Sequence, residues 1–126
     1  MEFTNSFIIN YAEQLHQYII KAELRFPAKV NYIIQKNYKK FLNIYEELMQ
    51  ARIEIFETYN TGRDEEGNYM FGDSEKLEQA NKELNDLITM TQNIDILQFD
   101  IDALGDQILT TQQMELLMYM IKDGEE

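Results

Sequence analysis

Two places in this chain carry the residue types that chemistry needs: the single histidine, His16, and the acidic run Asp64, Glu65 and Glu66. A catalytic or metal-binding histidine needs partners at hydrogen-bond or ligand distance. On a helix the neighbours one turn away from His16 are Ala12 and Ile20, which offer neither, so a packed or surface imidazole is expected. The acidic run sits in DEEGNYMFGD, where an EF-hand loop would place oxygen ligands at alternate positions before a glycine and a glutamate six residues after it. Here the three acids are consecutive, and the residue six beyond Gly67 is Asp73, so the stretch reads as a turn. Asp95, Asp100 and Asp102 form a second acidic group beside a candidate strand. They suit a polar strand face better than a cation site. With no cysteine there is no disulfide, thiol nucleophile or cysteine–zinc site. The chain also has no glycine-rich phosphate loop, HExxH pair or GxSxG elbow. The expectation is a non-enzymatic protein with no cofactor and no metal.

The charge pattern narrows what such a protein meets. The net charge is −12 from 11 basic and 23 acidic residues. Residues 21–40 hold Lys21, Arg25, Lys29, Lys36, Lys39 and Lys40 against Glu23. This segment is therefore +5 and the remainder −17. An acidic surface repels phosphate, which argues against direct nucleic-acid binding and favours a basic partner surface. The patch at Lys36, Lys39 and Lys40 balances the acidic remainder of the fold or of a sister subunit. The opening MEFTNSFIIN lacks the basic start of a secretion signal, and no apolar run spans a bilayer. A cytoplasmic protein without a membrane segment is expected. The 126 residues, 44% hydrophobic, fit one domain with a modest core.

The elements that position these residues follow from periodicity. Phe7, Ile8, Tyr11, Leu15, Tyr18 and Ile19 recur at three and four, giving a helix over 5–23 capped by Thr4 or Asn5. Pro27 interrupts it, and Val30, Tyr32 and Ile34 then alternate as in a short strand over 29–34, although a helix can also begin there. Over 36–59, Tyr38, Phe41, Leu42, Tyr45, Leu48, Met49, Arg52, Ile55, Phe56 and Tyr59 hold heptad a, d and e positions. Arg52 alone interrupts, with its stem along the seam. Such a helix is about 36 Å long and needs a cover. Leu77, Ala80, Leu84, Leu87 and Ile88 supply one over 74–90, with Asp73 or Ser74 as N-cap. The acidic run then lies at the tip of an antiparallel helical hairpin, where Asn60 and Gly62 take left-handed positions and NYMF returns as a small strand. Residues 94–101 alternate as a second strand able to pair with 29–34. Thr110 and Gln113 frame a capping box, with Leu109 and Met114 as staple, for a last helix carrying Leu117, Met118 and Ile121 on one side. Gly124 and the acids after it are expected to end the chain.

Several stretches carry a resemblance: FTNSFIINYAEQL, FPAKVNYIIQKN leading into the long helix, ARIEIFETYN with DEEGN, ANKELNDL before an acidic strand, and LTTQQMELLMYMI. Over nearly its full length the chain resembles a loose family of small phage and prophage proteins of unknown function. The resemblance implies a phage origin and brings no catalytic residues with it.

The resulting fold expectation is mostly α with minor β: a long antiparallel helical hairpin, flanking terminal helices and a short two-stranded β patch, like prefoldin in outline only. The functional expectation is an acidic phage-encoded inhibitor of a host or anti-phage defence protein, acting as anti-CRISPR proteins do. Its contact residues would be Asp64, Glu65, Glu66, Tyr69, Met70 and Phe71. The alternative is a virion structural or assembly protein that self-associates through the aromatic seam, and a homodimer fits either. Methionines crowd the last helix (Met114, Met118, Met120), as adaptable core filling or as a binding groove.

Overall fold

The longest element explains most of the architecture. In the computed structural model, which describes residues 1–122, helix α2 runs from Ala28 to Tyr59 without a break. Its 32 residues give a rod of about 48 Å. Pro27 sits at the position before it, where its fixed φ and missing N–H cost nothing. The strand expected over 29–34 is the first turns of this helix. Val30, Ile33, Ile34, Asn37 and Phe41 recur at three and four and are all buried, so the helical period prevails over the alternation.

Ahead of α2, strand β1 (Glu2–Thr4) leads directly into helix α1 (Asn5–Leu15). Thr4 caps α1 by accepting from the Phe7 N–H. Ile8, Tyr11, Ala12 and Leu15 form its buried stripe. The helix then widens into a π turn over His16–Ile20 that ends when the Lys21 N–H reaches the His16 carbonyl.

Beyond α2, strands β2 (Gly62–Arg63) and β3 (Tyr69–Met70) pair antiparallel and turn the chain. Helix α3 (Ser74–Thr89) returns along α2, capped by the Asp73 carboxylate on the Glu75 and Lys76 N–H groups. The expected antiparallel hairpin is therefore present.

Strand β4 (Thr91–Asn93) follows α3 and pairs antiparallel with β1, Phe3 opposite Gln92. The two-stranded patch thus exists, but its strands are the N-terminal residues and 91–93. Residues 94–100 run without a ladder, and Ile101 already begins a 3-10 turn. Asn37 of α2 takes the place of a neighbouring strand, bonding both the Leu97 carbonyl and the Leu97 N–H at 2.9 Å. Phe99 makes an isolated parallel bridge to Ile121. A 3-10 turn over Ile101–Leu104 leads on to helix α4 (Thr111–Leu117), which carries the expected capping box between Thr110 and Gln113. A 3-10 turn over Met118–Met120 follows. Met118 is open to solvent while Leu117 and Met120 are buried, so Met118 does not share a face with Leu117 as expected, since successive residues of a helix point about 100° apart. Gly124 and the terminal acids lie outside the described residues.

The core gathers Ile8, Tyr11, Leu15, Ile34, Phe41, Phe99, Leu117 and Met120, with Phe3 at its edge. Two buried amides, Asn5 and Asn37, are fully bonded. The Asn5 amide donates to the Leu87 carbonyl, its oxygen accepts from Gln92, and Asn37 holds Leu97. No residue between Tyr45 and Ile94 belongs to this cluster. The molecule therefore has a body around the core and an arm formed by the distal half of α2, the β2–β3 turn and α3.

Candidate functional site

The expected contact residues all lie at the end of the arm, and the structure divides them into two groups. Helix α2 stops at Asn60, which is extended (φ −72°, ψ 156°) and not left-handed as expected. Its side chain does the capping instead, donating to the Phe56 and Glu57 carbonyls and accepting from the Gly62 N–H at 3.0 Å. Gly62 does take a positive φ of 144°. The turn itself is organised by Asp64. One carboxylate oxygen accepts from the Glu66 and Asn68 N–H groups at 2.9 Å, and its carbonyl accepts from Gly67, which has φ 85°. These backbone donors, that of Asn68 foremost, hold the Asp64 carboxyl below the usual carboxylate range.

Strand alternation separates the next three residues. Tyr69 and Phe71 fold back over Phe56, both with ring centroids 5.7 Å from it. The Tyr69 hydroxyl donates to Glu57 at 2.7 Å, which raises its pKa, and the Arg63 guanidinium lies 4.3 Å over its ring. Arg63 also pairs with Glu57 at 2.8 Å. Met70 points the other way and is 47% exposed. Asp64, Tyr69 and Phe71 are therefore committed to building the tip. Glu65, Glu66 and Met70 face solvent, and among the described residues no side-chain partner is found for either glutamate.

The seam along α2 is one stripe with two covers. At its body end Tyr45 donates to Glu13 of α1 at 2.9 Å, and the Tyr38 hydroxyl lies 3.2 Å from His16 Nδ1. At its arm end Tyr59 bonds Glu83 of α3. The Glu13 and Glu83 carboxylates raise the pKa values of Tyr45 and Tyr59, and burial does so first for Tyr38. His16 thus has a partner that its own helix could not supply, because Tyr38 comes from α2. The two line an open groove of about 390 Å³ with Glu13, Lys21, Leu42 and Tyr45. This groove was not legible in the sequence: only the packing of α1 on α2 creates it.

Cover over the arm is thin. Leu48 and Ala80 are its only buried apolar residues, while Ile53 is 45% and Leu77 39% exposed. A small recess of about 170 Å³ opens where α1, α2 and α3 meet, lined by Ile9, Leu48, Met49, Leu84, Leu87 and Ile88, with Arg52 on its lip. Residues 46–86 hold twelve acids against Arg52, Arg63, Lys76 and Lys82, a net −8. The basic patch is used locally: Lys36 lies over Tyr32, and Lys40 donates to the Asp95 carbonyl. Asp95, Asp100 and Asp102 are not drawn together, and among the described residues no three His, Asp or Glu side chains converge as a metal site. No described helix is long and apolar enough to cross a membrane.

No protein-family model matches the chain, and the searches of curated proteins and of solved structures found no match.

Proposed function

We propose that the protein is a non-enzymatic, phage-encoded binding protein that inhibits a host or anti-phage defence protein by occupying a basic surface. The observation that carries this reading is the arm: two helices and their turn, which leave apolar side chains half-covered and together bear a net −8. A charge of this density speeds capture of a basic partner, and the affinity then comes from a few buried apolar anchors. Glu65, Glu66 and Met70 are the outward contacts at the tip, while Asp64, Tyr69 and Phe71 hold that tip in shape. The family resemblance supports the phage setting, and the acidic surface supports a partner other than nucleic acid.

The test is retention of host proteins from bacterial lysate at low and at high salt, with mass identification. A specific basic protein retained at low salt, released by salt and lost by the Glu65→Lys/Glu66→Lys variant supports the reading. Salt-independent retention that this variant leaves unchanged refutes it.

A second reading is a virion assembly protein, favoured by the exposure of Ile53 and Leu77 beside the helical seam. Sedimentation over a range of concentrations separates the two. A stable large oligomer supports assembly, and a monomer or small dimer supports the inhibitor.

A further inference from the structure

One flank of the arm has the spacing of a helix-binding surface. Met49, Ile53 and Phe56 follow at i, i+4 and i+7 on α2, which places them on one stripe. Leu77, Leu84 and Ile88 follow at i, i+7 and i+11 on the antiparallel α3. At the base of the arm Met49, Leu84 and Ile88 line the recess of about 170 Å³. Engineered aliphatic cavities of about 150 Å³ accept benzene, so a leucine or phenylalanine side chain fits this recess.

Charge limits what can lie there. Glu46 continues the stripe of Ile53 at i−7, and Glu57, at i+4, is already paired with Arg63. The one cation at the recess, Arg52, lies over the Phe56 ring at 5.3 Å and keeps its charge, so the side chain seated there must be apolar and the partner's cations must lie to either side. A second copy packed arm to arm would bring another −8 against the first, its Lys36 and Lys40 are engaged in its own body, and nucleic acid or an anionic lipid surface would be repelled as well. What remains is a protein segment with cations around an apolar stripe.

We propose that this flank docks a cationic amphipathic helix of a partner protein, laid along α2 and α3 as a third helix of the arm, with one large apolar side chain seated in the recess. This mode is the burial of an amphipathic helix in a groove through anchors at i, i+3, i+4 and i+7. It makes the flank the specificity-determining surface and leaves the tip glutamates to steer the approach. The inference rests on the acidic-binder reading and deepens it.

The test uses model peptides of about sixteen residues, the length of α3. One carries leucines at helical spacing with lysines elsewhere. A second keeps the leucines and replaces every lysine by glutamate. A third holds the residues of the first in an order without a stripe. Each is titrated into isotope-labelled protein and followed by amide chemical shifts. The first is expected to shift Met49, Ile53, Leu84 and Ile88, and the others to leave these signals in place. Ile53→Gln should weaken the first peptide about tenfold, and Ile53→Ala less. Both variants are checked for an unchanged melting temperature. Ile53 is half-exposed, so the fold should tolerate them.

Shifts confined to Glu65, Glu66 and their neighbours, with Ile53→Gln binding normally, overturn the flank and leave the acidic-binder reading standing. Equal binding of the glutamate peptide on the flank removes the electrostatic reading and, with it, the requirement for a cationic helix. Absence of shifts on the flank with every peptide overturns the proposal. So does concentration-dependent broadening of the same signals without peptide, which would assign the flank to a second copy.

Discussion

The two halves of α2 share a sequence pattern and differ in everything that burial confers. In the body half Val30, Ile34 and Phe41 are wholly enclosed by α1, residues 94–99 and the last turns of the chain. In the arm half Ile55 repeats the heptad position of Ile34 and Phe41, with Phe56 and Tyr59 on the same seam, yet each stays partly open because only α3 and the small β2–β3 turn cover them. The stripe is a property of spacing, whereas its burial depends on how many layers the remainder of the chain lays over it. A body with three sides covered is where stability accumulates. An arm with one side covered keeps apolar surface available for another molecule.

The sharpest way to break this contrast is to truncate one aromatic in each half. Phe41→Ala removes a ring enclosed by Phe3 and Tyr11, whose centroids lie 5.4 and 4.7 Å away. It is expected to lower unfolding free energy by about 3–5 kcal/mol. Phe56→Ala should lose no more than about half of that, because the site is already partly hydrated. Equal losses in urea denaturation would contradict the division into body and arm.

A smaller difference is expected from the amides. Asn37→Ala leaves both the Leu97 N–H and carbonyl without their partner in a partly buried setting, a loss of about 1–2 kcal/mol, and should speed hydrogen exchange at Leu97. Asn60→Ala removes a cap at a solvated helix end, where water replaces the lost bonds, and should lose about 0.5–1 kcal/mol.

One group in each region responds at opposite ends of the pH scale. Burial, and then the neighbouring Tyr119, raises the pKa of Tyr11 in the body well above its usual value. A phenol that ionises at about 10 only in the unfolded chain contributes stability in full below that pH. This contribution is lost as pH rises beyond it. Denaturation midpoints at pH 8 and pH 11 should therefore diverge, and Tyr11→Phe should narrow the gap. In the arm, Asp64 has its pKa lowered, so its contribution is present above the unfolded carboxylate value and lost as pH falls through the folded one. Asp64→Asn should flatten the acid response of the amide signals of Glu66 and Asn68 and leave body signals unchanged. Body signals that follow the Asp64 titration would show the two regions to be coupled.

Local signals proved readable where they involve neighbours in sequence. Thr4, Asp73 and Thr110 cap their helices as their side chains and spacing suggest, and the pairing of α2 with α3 follows from two matching stripes. The failures share a cause. The alternation of Val30, Tyr32 and Ile34 also satisfies a helical period, and only the cover over Ile33, Ile34 and Asn37 chooses between them. Strand β1 is three residues long, too short for any periodicity, and it exists because β4 lies beside it. Residues 94–101 alternate as a strand does, but the space next to them is filled by the side of α2, so Asn37 supplies hydrogen bonds that a ladder would have given. At the proposed contact site, acidity and the turn were legible. Which residues turn outward was not, because that depends on Tyr69 and Phe71 finding Phe56.

Composition and periodicity were enough to establish an acidic, mostly helical chain with a two-helix hairpin and capped helix starts, since these arise from interactions within one or two turns. Tertiary contact alone decided that His16 meets Tyr38, that the N-terminal strand pairs with residues 91–93, and that half of the long helix stays partly bare. Those outcomes join groups far apart in the chain, and their free energy comes from burial, which no stretch can secure without the surface that covers it.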